Sequence, residues 1–295
     1  MSYICPYCNS DDTYLHIKLR DEFLTKEEFE IHGCKYCDLL FTMPRPAPNE
    51  IGKYYNSEEY ISHNDRQKGL VPWVYNQVKK LNVRNKYKVA TKELKKPRIL
   101  DFGCGIGDFL HYAQRKGCEI AGCDVNENAR KIASEKLNIP IVTPEEMFEN
   151  NTEPFDVITM WHVIEHIDDM KNIAKKLHTL IKPNGRLVVA APNYKSYDAK
   201  YYKHLWAAYD VPRHLNHFCK QSIESVLSNF FQYEKNLPMK WDAYYISMLS
   251  EKYAGNKNSF IDGLHTGWKS NRDAKKTGFY SSLIYLFHEY DFEAI

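Results

Sequence analysis

The stretch that decides the fold is Arg98-Ile99-Leu100-Asp101-Phe102-Gly103-Cys104-Gly105-Ile106-Gly107. Arg98 to Asp101 reads as a short buried strand. Phe109, Leu110 and Ala113 then share one helix face, closed by Gly117. A glycine loop between strand and helix lets backbone N–H groups approach a ligand without side-chain clash. Dinucleotide sites want G-x-G-x-x-G. Here the order is G-x-G-x-G, and the third residue after Gly105 is Asp108. Asp101 would repel a pyrophosphate but suits a ligand carrying a cation. The next acid at a strand end, Asp124, follows 23 residues later. A carboxylate there can accept both hydroxyls of a ribose.

Outward from this loop, strands alternate with amphipathic helices. Cys118 to Cys123, Ile139 to Val142, Phe155 to Met160 and Arg186 to Ala191 read as strands. Ala129, Ile132, Ala133 and Leu137 mark one helix. A stripe from Ile167 to Ile181 marks another, with Asp168 as its N-cap. Such alternation means an α/β fold with a doubly wound, mostly parallel sheet. Gln232 to Lys240 and Phe279 to Phe287 are candidates for the last two strands. Residues 242–277 between them are too long for a hairpin loop and are expected to cap a substrate site.

With these motifs in order, residues ~98–230 resemble a class I S-adenosylmethionine-dependent methyltransferase. Asp101 to Gly107 resembles that family's first motif and Asp124 its second. Phe155-Asp156-Val157-Ile158 resembles its fourth strand, and Leu180 to Leu187 its Leu-x-Pro-Gly-Gly stretch, with Asn184 in place of the first Gly. The resemblance implies a seven-stranded, Rossmann-like sheet. It implies that Asp101, Phe102, Gly103, Cys104, Gly105 and Gly107 cradle the amino acid end of S-adenosyl-L-methionine. Asp124 and Val125 would hold the ribose. Thr143 to Met147 would flank the adenine, with Glu145, Glu146 and Met147 as candidates, and Trp161 would also touch the cofactor.

Cys5-Pro6-Tyr7-Cys8 and Cys34-Lys35-Tyr36-Cys37 form two Cys-x-x-Cys knuckles 25 residues apart. Four such thiolates suit a closed tetrahedral metal shell, zinc or iron, with a structural role. A module this small has too little core without a staple. Met43-Pro44-Arg45-Pro46-Ala47-Pro48 is a stiff linker. Val71, Val74, Val78 and Leu81 recur at helical spacing beyond it. The chain thus divides into a zinc-ribbon-like module (1–43), a linker and helical lid (44–96) and a methyltransferase domain (97–295).

Two histidine clusters sit at strand ends, where α/β sites form. In Trp161-His162-Val163-Ile164-Glu165-His166, His162, Glu165 and His166 can share a helical face and could bind a divalent ion. This resembles the Glu-x-x-Glu-His of quinone-biosynthesis O-methyltransferases, with His162 replacing the first Glu. Asp210-Val211-Pro212-Arg213-His214-Leu215 resembles a substrate wall of small-molecule members. Tyr209 precedes it, and Arg213 could grip a carboxylate or phosphate. His162 and His214 are the two base candidates. Tyr54, Tyr55 and Tyr60 resemble a segment lying over the cofactor in zinc-ribbon methyltransferases.

Net charge is +2, from 40 basic and 38 acidic side chains, too balanced to favour a polyanion partner. Mean hydropathy is −0.57, and no apolar run approaches the ~18 residues a bilayer requires. Met1 to Pro6 lacks the features of a signal peptide, so a cytoplasmic location is expected. The expected activity is methyl transfer to a small molecule, most simply an oxygen nucleophile. Ribosomal RNA bases and sugar carbons are the alternative acceptors.

Overall fold

The computed structural model describes residues 3–47, 50–55, 81–150 and 153–290. Tyr60 and the expected helix over Val71, Val74 and Val78 lie outside them. Residues 81–90 are helical.

Near the N-terminus, β1 (Thr13–Arg20), β2 (Glu28–Cys34) and β3 (Leu40–Met43) form an antiparallel meander. Each cysteine knuckle is a repeated turn. Asn9 N–H donates to Cys5 O and Asp38 N–H to Cys34 O, both at 3.1 Å. Asn9 and Asp38 take left-handed backbone angles, φ 59° and 58°. Asn and Asp tolerate that conformation better than other side chains. The meander's edge at β3 is closed by β8 (Asn216–His217), contributed from the far end of the chain.

The main sheet is built on β4 (Arg98–Phe102), β5 (Glu119–Cys123), β6 (Phe155–Trp161) and β7 (Ile181–Pro192), all parallel. β10 (Ser282–Glu289) runs antiparallel to both β7 and β9 (Phe231–Pro238). The order is β5-β4-β6-β7-β10-β9. Ile99, Leu100, Val157 and Ile158 are fully buried because helices cover both faces. Each such side chain contributes ~1.5–3 kcal/mol by leaving water.

Among the described residues the sheet has six strands rather than seven. Of the strand expected over Ile139 to Val142, only a single bridge between Val142 and Cys123 forms. This short edge segment passes at once into a capped helix, which ends the pairing. Around the sheet pack α1 (Asp108–Arg115), α2 (Glu127–Leu137), α3 (Pro144–Glu149), α4 (Met170–Leu180), α5 (Tyr197–Tyr202) and α6 (Lys220–Leu227). The N-cap of α4 is Asp169, whose side chain accepts from Asn172 N–H. Asp168 instead pairs with Arg45 of the linker. Residues 242–277 form two packed helices, α7 (Asp242–Tyr253) and α8 (Ser259–Thr277).

Candidate active site

The carboxyl ends of β4, β5 and β6 meet at one edge, on either side of the point where strand order reverses. Such a switch point is where open α/β sheets bind ligands. Gly103, Gly105 and Gly107 all take positive φ, 76°, 53° and 76°. A Cβ on Gly103 would lie 2.5 Å from Val163 Cγ2, whereas one on Gly105 would meet nothing within 4 Å. The first glycine is therefore required by packing, and the second opens the loop to a ligand.

Asp101, one residue before the end of β4, is 2% exposed and accepts a 2.6 Å hydrogen bond from Thr159 Oγ1. Burial pushes its carboxyl up to about 7, against the hydrogen bond and the Lys86 ammonium, which pull it down. Lys86 stands over the Trp161 ring, 4.8 Å from its centre, and burial lowers its pKa. The Trp161 indole nitrogen is buried without a hydrogen-bond partner among the described residues. Asp124 accepts from Gly105 N–H and from Asn126 N–H, both at 2.8 Å, which locks the loop against the end of β5.

The other residues expected at the cofactor are placed as follows. Phe102 is buried under Phe148, and burial pushes the Cys104 thiol up. Val125 is 81% exposed. Glu146 completes a capping box with Thr143, its carboxylate accepting from Thr143 N–H at 2.7 Å. Met147 is buried in the core.

The two histidine clusters converge. His162 lies between carboxylates, Nδ1 3.4 Å from Glu165 and Nε2 3.2 Å from Asp242. Burial alone would lower its pKa, but the two carboxylates outweigh burial and raise it to about 9. The two carboxylates thus favour the protonated, cationic form of His162, which has no lone pair to offer. His214 differs. Its Nδ1 is 2.9 Å from Ala208 O, a group that only accepts, so Nδ1 carries the proton and Nε2 the lone pair. Burial and neighbouring His166 lower its pKa, keeping it neutral. His166 is pinned the same way, Nδ1 2.8 Å from Arg213 O, with Tyr55 Oη 3.3 Å from that nitrogen.

One donor atom each from Glu165, His166 and His214 lies within 4.8 Å of the others. Both Glu165 oxygens are buried without a hydrogen bond among the described residues. A cavity of about 10 Å³ adjoins Glu165 and His214, room for one water or ion. The four knuckle cysteines form a second such group. Cys5 and Cys37 sulfurs are 3.7 Å apart and those of Cys8 and Cys34 3.5 Å, close to the edge of a tetrahedron with ~2.3 Å metal–sulfur bonds.

Arg213 and Tyr209 do not face this crevice. Every Arg213 N–H is engaged inside the protein, by Asp21, Asp210 and the Tyr54 carbonyl. The reason is burial: at 2% exposure a guanidinium needs an internal partner for each donor. Tyr209 is buried toward the meander, its hydroxyl 3.1 Å from His16 Nε2. Tyr54 likewise turns away, to Glu27.

A family profile described as a methyltransferase domain matches residues 75–230, just over half of the chain. The chain belongs to the methyltransferase domain family. It is similar to the ubiquinone biosynthesis O-methyltransferase of Rhodopseudomonas palustris, 37% identical over 103 residues, covering 32% of this chain and 40% of that protein. It is also similar to the enzyme of that name from Coxiella burnetii, 31% identical over 123 residues, covering 39% and 53%. The chain thus spans about half or less of the length of these curated relatives. Among solved structures, the magnesium protoporphyrin IX methyltransferase of Synechocystis PCC 6803 with bound SAH aligns with a TM-score of 0.52. The identity is 17%, over 81% of this chain and 98% of that one, which speaks to the class I fold alone.

Three residues of this methyltransferase domain's crevice were not legible in the sequence. Thr159 points inward from mid-strand among apolar neighbours. Lys86 precedes the glycine motif on a helix without a signature. Asp242 opens α7, 80 residues from His162. A polar residue inside an apolar strand was the only available signal, and it marked Thr159.

Proposed function

We propose that this protein transfers a methyl group from S-adenosyl-L-methionine to a small-molecule acceptor, with an oxygen nucleophile as the simplest case. The observation that carries this reading is the open Gly105 loop between the Asp101 and Asp124 carboxylates. Asp101 suits the cationic end of the cofactor and Asp124 its ribose hydroxyls. Lys86 and the unpartnered Trp161 N–H suit the cofactor carboxylate. Methyl transfer from a sulfonium is an in-line displacement, so the protein's work is alignment and exclusion of water. His214, neutral with Nε2 unprotonated, accepts the acceptor's proton. The His162 cation holds Asp242, and with it the start of α7, against the site. Residues 1–43 serve as a zinc ribbon, 44–96 as linker and lid, and 97–295 as the transfer domain with 242–277 as its cap. The unpaired cysteines fit a cytoplasmic location. Calorimetric titration with S-adenosylhomocysteine tests the reading: saturable one-to-one binding supports it and no binding contradicts it.

A second reading is favoured by Glu165, His166 and His214. Two histidines with Nδ1 pinned to carbonyls and a buried carboxylate without hydrogen bonds suit a divalent cation. Such an ion would supply Lewis-acid polarisation of an acceptor hydroxyl. Activity that survives exhaustive chelation favours the His214 base instead.

A further inference from the structure

A cavity of about 530 Å³ lies between the segment after β9 and helices α7 and α8. That is the size of a small-molecule site. Because β9 runs antiparallel to β10 and β10 antiparallel to β7, β9 ends at the same sheet edge as the glycine loop. Lys240, Arg272 and Lys275 bring three positive charges to the lining, and no carboxylate is among the described lining residues. None of the three forms an ion pair with a described residue. Trp241, Tyr244 and Trp268 add flat apolar walls, with Trp241 and Trp268 about half exposed.

The walls are held in place. Arg272 Cζ sits 5.4 Å from the centre of the Trp268 ring, a placement that leaves the guanidinium's donor edge for an anion. Ser270 Oγ donates to buried Asp198 at 2.7 Å, anchoring this turn of α8. A Cβ on Gly267 would lie 2.7 Å from Tyr244 Cα, so glycine is what lets α8 press on α7 there. Asn271 is nine-tenths buried. Its Nδ2 donates to Lys240 O at 2.9 Å, and its Oδ1 is buried with no partner among the described residues. The residue after Trp241 is Asp242, which reaches His162, so one short stretch of chain links this cavity to the proposed transfer site.

We propose that this cavity holds the methyl acceptor, and that the acceptor is a flat organic acid. The acid group meets Arg272, Lys275 and Lys240, and the flat body lies against Trp241 and Trp268. The proposal rests on the methyltransferase reading for the ligand's role, but not for its chemistry.

Calorimetry of the full chain with 3-hydroxy-2-naphthoate, against uncharged 2-naphthol, tests it. The expected result is saturable one-to-one binding of the acid, at least about tenfold tighter than the phenol. Arg272→Gln combined with Lys275→Gln should erase that preference without changing 2-naphthol binding. Trp268→Ala should weaken both ligands. Equal affinity for acid and phenol, or an unchanged preference in the charge variant, overturns the proposal. Thermal melting verifies that each variant is folded, and Lys240→Gln, outside the helices, serves if the double variant is not. S-adenosylhomocysteine titrated into the wild-type chain is read separately. Its failure to bind defeats the methyltransferase reading while acid binding stands, and cofactor-product binding without acid binding overturns this proposal while the cofactor site stands.

Discussion

Arg213 and Asp21, 192 positions apart in sequence, form a two-bond ion pair sealed from solvent, with Nη2 2.7 Å from Oδ1 and Nη1 3.4 Å from Oδ2. The pair ties the N-terminal meander to the loop that carries His214. Removing one partner of a buried pair strands the other charge. Arg213→Met should therefore destabilise the protein by ~3–5 kcal/mol in chemical denaturation. An effect within the scatter of surface substitutions would mean that the meander and the loop are not coupled through this contact.

The meander should also depend on its metal. Protein purified without chelators is expected to carry one zinc or iron per chain at the four cysteines, and Cys34→Ser to lose it. Because β3 pairs with β8, hydrogen exchange should speed up at Asn216 and His217 as well as in β1 to β3 when the metal is stripped. Elemental analysis showing no metal on unstripped protein would count against the ribbon.

Much of this architecture was readable from local pattern. The glycine loop, Asp124 and the cysteine knuckles are short-range motifs whose geometry is set by the residues themselves. Long-range partners were not. Arg213, in a Pro-containing loop, reads as a grip for a substrate carboxylate or phosphate, and nothing near it shows that Asp21 will bury it. His162 reads as a base, and nothing near it shows that Asp242 will arrive from the insertion to sit 3.2 Å from its Nε2. The strand at Ile139 to Val142 was legible as apolar but not as too short to pair, because the capping box that begins at Thr143 stops it. The cationic, aromatic cavity exists only once α7 and α8 fold against each other.

Cofactor affinity should depend on pH through Asp101. Its folded pKa, about 7, lies above the ordinary carboxylate value. Protonated Asp101 therefore stabilises the unliganded fold, and this contribution is lost as pH rises from about 4 through about 7. A cationic ligand group needs the ionised form, so binding below that point releases a proton. S-adenosylhomocysteine affinity should rise by up to ~10-fold per pH unit toward neutrality and then level off. Asp101→Asn should bind weakly with a flat profile. A flat wild-type profile would contradict the assignment.

His214→Asn should leave S-adenosylhomocysteine affinity unchanged and lower turnover on an oxygen acceptor by ~10²–10⁴. The same substitution at His162 should act differently, loosening α7 through Asp242 and raising KM more than it lowers kcat. Equal turnover in wild type and His214→Asn would remove His214 from the chemistry.

The central claim is tested most directly by a crystal structure of the full chain with S-adenosylhomocysteine. The account predicts the ammonium beside Asp101, the thioether above Gly105 and the ribose hydroxyls within hydrogen-bond distance of Asp124. An adenosyl ligand bound elsewhere, with the Gly103–Gly107 loop untouched, would contradict it.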